Sequence, residues 1–147
     1  MSSSDPDASG VTADGLARAA ARVGDRWTLL VIESLLPGPR RFGELTDSLT
    51  GIAPNILTKR LRQLEQGGLI VSSPYSDRPV RLAYELTAMG RELAGALTLL
   101  ASWGARADGY EGSRRHSACG TPLEVRHWCP TCEVAVGDLD TDDVTWA

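Results

Sequence analysis

Every cysteine and both histidines of this chain fall in one short stretch near its end. His116-Ser117-Ala118-Cys119 and Cys129-Pro130-Thr131-Cys132 each place two ligating side chains with two residues between them, and nine residues separate the pairs. One imidazole and three thiolates at this spacing make a tetrahedral zinc donor set, which takes four N or S ligands and excludes water. Gly120 and Pro130 suit the tight turns that bring backbone amides toward sulfur. The expected cofactor is therefore a structural Zn2+ on His116, Cys119, Cys129 and Cys132. Free thiols and a Cys129–Cys132 disulfide are the alternatives, and a reducing compartment disfavours the second. His127 reads as an exposed strand residue, with replacement of His116 as a minor alternative. A zinc enzyme would need an open metal position beside a base such as Glu124 or Glu133, and four filled positions leave none. The segment from Thr121 to Trp128 reads as a small hairpin covered by Leu123, Val125 and Trp128. It is too short to build a core, so a metal would account for its order.

A second constellation lies on a helix predicted to start at Pro54. At about 100° per residue, Leu57, Leu61 and Leu64 share one face. Asn55, Lys59, Arg62 and Gln66 share the opposite one, flanked by Thr58 and Gln63. Lys and Arg donate to guanine O6 and N7, and Asn or Gln pairs with adenine, so this face suits DNA. Asn55, Thr58 and Lys59, near the helix start, are the expected base readers. Arg62 is expected on base or phosphate. The plain alternative is a solvated polar face. Arg60, near the buried stripe, suits an ion pair as well as it suits DNA.

The elements that would hold this face follow from apolar spacing. Leu16, Ala19, Ala20 and Val23 mark a first helix closed by Gly24. Trp27, Leu30, Val31, Ser34 and Leu35 mark a second, stopped by Pro37-Gly38-Pro39. Phe42, Leu45 and Leu49 give a short third helix ended by Gly51. The fourth, from Pro54, ends at Gly67-Gly68. Leu69 to Tyr75 and Val80 to Leu86 then read as a β-hairpin around Ser76-Asp77-Arg78-Pro79. A last long helix begins near Thr87 and carries Met89, Leu93, Leu97, Leu100 and Trp103. A tight turn, a polar-faced helix and an immediate hairpin predict an α+β winged helix-turn-helix. Arg78 and Arg81 in the wing suit a minor groove or a phosphate. Arg40 is a further phosphate candidate, and Arg41 could equally brace Glu44 or Asp47.

Particular segments sharpen this reading. They are Gly24-Asp25-Arg26-Trp27-Thr28, Leu36-Pro37-Gly38-Pro39-Arg40-Arg41-Phe42-Gly43-Glu44-Leu45, the run from Leu57 to Ile70, and Tyr84-Glu85-Leu86-Thr87-Ala88-Met89-Gly90. Over Asp14 to Gly104 the chain resembles the HxlR family of bacterial winged-helix transcriptional regulators, relatives of the MarR group. The resemblance implies a homodimeric DNA-binding regulator that reads DNA with the fourth helix and dimerises through the first and last. Two positions depart from the family pattern. Asp14 stands where many members carry a cysteine at the head of the first helix. Ala53 stands where a serine would cap the reading helix, a loss of about 1 kcal/mol.

The wider chain agrees. Of 147 residues, 42% are hydrophobic and 23% charged, with a formal charge of −4. The acidity sits at the ends: residues 15–137 hold all fifteen basic and twelve acidic residues, a net charge of +3. Residues 1–11 read as disordered, 12–108 as the winged domain, 109–115 as a linker, 116–137 as the zinc-ribbon-like appendage and 138–147 as an acidic tail. No apolar stretch reaches the roughly 20 residues of a membrane span, and Met1 to Gly10 carry no leader pattern. The expectation is a cytoplasmic, non-enzymatic repressor that binds a palindromic operator in double-stranded DNA as a homodimer. A winged-helix protein–protein adaptor is the alternative. Trp27, Leu30, Leu97 and Trp103 leave room for a small-molecule effector, though core packing explains them better.

Overall fold

Residues 8–109, 115–124 and 126–136 are described by the computed structural model. The helices begin and end where backbone chemistry requires. Helix α1 runs Ala8–Val23 and α2 runs Arg26–Leu35. Gly24 separates them: its amide donates to the Ala20 carbonyl at 2.8 Å, and a Cβ there would lie 2.4 Å from that oxygen. Asp25 caps α2, its Oδ1 accepting from the amides of Trp27 and Thr28 at 3.0 and 3.2 Å. A two-residue strand β1, Arg40–Arg41, leads into α3, Phe42–Ser48. Helix α4, Pro54–Gln66, starts with proline in its first turn and has no side-chain cap at Ala53, in line with its sequence. It ends in a Schellman turn: Leu69 N–H donates to Leu64 C=O and Gly68 N–H to Glu65 C=O, with Gly68 at φ +70°.

The wing follows at once. Strand β2, Ile70–Asp77, pairs antiparallel with β3, Val80–Leu86, and β1 pairs with the other edge of β3. The sheet order is therefore β1-β3-β2. Pairing passes from Pro74↔Leu82 to Ser76↔Arg81, so Tyr75 is the extra residue of a β-bulge. Thr87 caps the next helix, accepting from Gly90 N–H while its hydroxyl donates to Gly68 C=O at 2.7 Å.

The core joins Val31, Ile32 and Leu35 of α2 to Leu45 of α3 and Leu57, Leu61 and Leu64 of α4. Ile70 and Leu86 close it from the sheet, and Leu97 is buried with them.

Several expectations are corrected. The first helix begins at Ala8, inside the stretch 1–11 read as disordered; residues 1–7 lie outside the described residues. The last helix is not continuous: α5, Ala88–Arg91, and α6, Ala94–Ala107, are separated by a turn at Glu92 and Leu93. The C-terminal hairpin is not formed by 121–128. Instead β4, His127–Cys129, pairs with β5, Val134–Val136, so Cys129 ends the first strand and Cys132 lies in the turn. Val125, most of the expected linker and the expected acidic tail lie outside the described residues. The described residues divide into two compact units, Ala19–Leu100 and the described residues on either side of it.

Candidate nucleic-acid interface

Helix α4 divides its faces sharply. Leu57, Leu61 and Leu64 are buried, while Asn55, Lys59, Arg62, Gln63 and Gln66 are exposed and Thr58 is half-buried. These six polar residues line one open surface along the helix. Their hydrogen-bonding capacities differ. Thr58 donates its hydroxyl to the Pro54 carbonyl at 2.9 Å, which leaves its oxygen as an acceptor and its methyl as an apolar contact. Gln63 Oε1 accepts from Arg60 Nη1 at 2.8 Å. Among the described residues, Asn55 and Lys59 have no side-chain partner within the chain.

Arg60 belongs to the scaffold. Its Nη2 donates to Asp25 Oδ2 at 2.9 Å, and its Nε lies 2.9 Å from Oδ1 without hydrogen-bond alignment. The ion-pair reading of Arg60 is the one the geometry favours. The role of Asp25 was not drawn from sequence; its place just before an apolar-periodic run is the N-cap signal that would have found it.

The wing presents Arg78 and Arg81, both exposed, at and beside its tip. Arg40 is half-buried in β1 opposite Tyr84. Arg41 braces neither carboxylate with its guanidinium. That group lies 4.3 Å over the ring of the bulged Tyr75, while its backbone N–H donates to Glu44 at 2.6 Å. An open groove of about 640 Å³ between α3 and the wing is lined by Arg41, Asp47, Tyr75, Arg81 and Tyr84 among others. Burial, then the Glu65 carboxylate, push the Tyr84 phenol above its ordinary range, and Arg62 partly offsets them. Tyr84 therefore meets any ligand as a neutral phenol.

The expected zinc ligands form two pairs. His116 Nδ1 lies 3.4 Å from Cys119 Sγ, and hydrogen bonding with Thr121 and then with His116 holds the Cys119 thiol below its usual range. Amides of Cys132 and Thr131 face Cys129 and lower it likewise. Among the described residues, no three His, Cys, Asp or Glu side chains come together in a metal-holding group, so His116 and Cys119 are not brought together with Cys129 and Cys132. His127 is exposed in β4, as expected. The four apolar residues considered for an effector have separate fates. Leu97 is buried, Trp27 packs against the core, and Leu30 and Trp103 are exposed.

A buried-backed polar helix after a tight turn, followed directly by a basic two-stranded wing, defines a winged helix-turn-helix DNA-binding protein. The HxlR-like helix-turn-helix family matches residues 22–110, and this chain belongs to it. An HTH-type transcriptional regulator of Mycobacterium tuberculosis is 40% identical over 123 residues, 81% of this chain and 77% of its own length. A transcription factor structure from Pseudomonas aeruginosa matches with a TM-score of 0.60 at 33% identity, covering 86% of this chain and 94% of that one. The reduced form of the regulator YodB from Bacillus subtilis matches at 0.55 and 30% identity, over 63% of this chain and 90% of that one. The protein is a DNA-binding transcriptional regulator and not an enzyme. Among the described residues, no helix is long and apolar enough to cross a membrane.

Proposed function

We propose that this regulator is a homodimeric repressor of a palindromic operator. The observation that carries the reading is the polar face of α4, exposed along Asn55, Lys59, Arg62 and Gln66 while its reverse is locked in the core. Asn55 and Lys59 read base edges, and Thr58 adds an acceptor and a methyl contact. Arg62 and Gln63 serve base or phosphate. Arg78 and Arg81 enter the flanking minor groove, and Arg40 supports a phosphate. Dimerisation is supported by α6, which leaves Leu99, Leu100 and Trp103 in water, Trp103 at 63% exposure. Leu16 on α1 is likewise exposed. A two-fold dimer places its reading helices about 34–36 Å apart, one turn of DNA, and so demands two inverted half-sites. A dimer covering both half-sites keeps other proteins off that stretch, which is the physical basis of repression.

Footprinting on DNA flanking the protein's own gene, with sedimentation of the same sample, tests this. The expected result is a dimer that protects two inverted half-sites one turn apart and lowers transcription from that DNA. A monomer that protects no DNA would overturn the reading in favour of an adaptor.

A further inference from the structure

The C-terminal segment holds the same turn twice. In the first, the Arg115–Pro122 bridge brackets His116 to Cys119; in the second, strands β4 and β5 bracket Cys129 to Cys132. In each, the residue after the second potential ligand occupies the left-handed region, Gly120 at φ +70° and Glu133 at φ +56°. The amide of that residue then donates to the carbonyl of the first, Gly120 to His116 and Glu133 to Cys129, both at 2.8 Å. Glycine adopts this conformation freely. Glu133 adopts it against the steric preference of an L side chain, and among the described residues it is the one non-glycine that does so. A repeated turn, strained in one copy, points to a requirement on the side chains it holds.

Those side chains are metal donors. The first turn sets His116 beside Cys119, and the second sets Cys129 and Cys132 at the two ends of one tight turn closed by Glu133. None of the three thiols is in a disulfide. The surroundings offer little apolar cover: Leu123 and Val134 are exposed, and Trp128 is 61% exposed. Strands of three residues without a buried core need a cross-link to persist. The segment also lies beyond the family match, which ends at residue 110. Nothing in a winged helix requires it.

We propose that the two turns are the halves of a structural zinc site, with His116 and Cys119 from one and Cys129 and Cys132 from the other. The halves are formed, and the metal supplies their approach to one another. Three thiolates and one imidazole suit zinc, which is borderline-soft and indifferent to ligand-field geometry. Four protein donors close the coordination sphere, so the ion orders the segment and performs no chemistry. Binding and local ordering are then one event, with release of the thiol protons.

The test uses the full chain. Metal analysis of the purified protein is expected to give about one zinc per chain. After chelation, cobalt(II) titration is expected to give the intense visible bands of a tetrahedral site and thiolate-to-metal charge transfer. Cys119→Ser and Cys129→Ser should each abolish tight binding, and His116→Ala should weaken it more than His127→Ala. DNA binding and unfolding of the winged domain are followed in the same variants, so loss of a ligand is distinguished from loss of the fold. Zinc-free protein that gives only an octahedral cobalt spectrum would overturn the proposal. So would tight binding that survives Cys119→Ser and Cys129→Ser together. If a cysteine variant unfolds the whole chain, the wild-type cobalt spectrum still decides by the presence or absence of thiolate bands.

Discussion

One carboxylate joins two helices: Asp25 caps α2 with its Oδ1 and grips Arg60 of α4 with both oxygens, at 2.9 Å each. Arg60 also reaches Gln63 on the polar face. The brace therefore runs from the start of α2, through the flank of α4, to a residue on its outer surface. Orientation of α4 on the core depends on this contact as well as on Leu57, Leu61 and Leu64.

Asp25→Ala removes the cap and strands the guanidinium. The cap is worth about 0.5–2 kcal/mol. The ion pair is partly exposed, so solvent screens it to about 1 kcal/mol or less. A total loss of about 1–3 kcal/mol is expected in urea unfolding, with Asp25→Asn less costly because an amide oxygen can still cap. A double-mutant cycle with Arg60→Ala isolates the coupling. Additive single effects would show that the two side chains touch without stabilising one another.

Two glycines should respond oppositely to the same methyl. Gly90 is buried, and a Cβ there would sit 2.2 Å from the Leu69 carbonyl oxygen and 3.0 Å from Leu86 Cδ2. The nearer atom is backbone in the turn between α4 and β2, already bonded to Thr87 N–H, and has little freedom to move. Gly90→Ala is expected to cost about 1–3 kcal/mol by overpacking. Gly95 in α6 faces open space. Gly95→Ala is expected to gain about 0.5–1 kcal/mol from helix propensity. Thermal unfolding of both variants checks the pair, and equal shifts would contradict the packing of Gly90 against Leu69 and Leu86.

Tyr84 ties stability to alkaline pH. Burial first, then Glu65, raise its folded pKa above the ordinary value of 10.0, against an offset from Arg62. The unfolded chain thus ionises this phenol before the folded one does. Its contribution is fully present below the unfolded value and falls away as pH rises from there through the folded value. Tyr84→Phe should flatten the alkaline loss while leaving the neutral range little changed. Urea midpoints for both proteins across that range measure it, and identical slopes would remove Tyr84 as the cause.

Much of this architecture is legible because the chain punctuates itself. Pro54, Gly67 and Gly68 bound α4, and a leucine stripe at helical spacing assigns its inward face, so the opposite face follows by subtraction. Other features leave no such trace. Two residues of β1 have no period to detect. The break at Glu92 and Leu93 carries no proline, and the apolar spacing from Met89 through Leu97 runs straight across it. The residue just before the break, Gly90, is packed against Leu69 and Leu86, a tertiary contact that local spacing does not show. Likewise Arg60 reads locally as a flanking residue, and its partner stands thirty-five residues away. Which polar groups remain free for DNA also waits on geometry, since Thr58 and Gln63 already use part of their capacity within the chain.

Base readout and phosphate contact should separate by position. Asn55 and Lys59 are exposed on the first half of α4 and make no side-chain hydrogen bond or ion pair among the described residues, so each meets the operator with its full hydrogen-bonding capacity. Asn55→Ala and Lys59→Ala should each cost about 1–3 kcal/mol on the operator and less on unrelated DNA. Thr58→Val should cost less than either, because its hydroxyl proton is already given to Pro54. Arg78→Ala and Arg81→Ala should weaken binding to every sequence alike. Each removes a counterion-releasing contact, so the fall of log K with log salt should flatten by about 0.9 per arginine. Titrations of operator and scrambled duplex at several salt concentrations measure both effects. If Asn55→Ala and Lys59→Ala keep full discrimination while the wing variants lose it, the wing reads sequence and α4 only positions it.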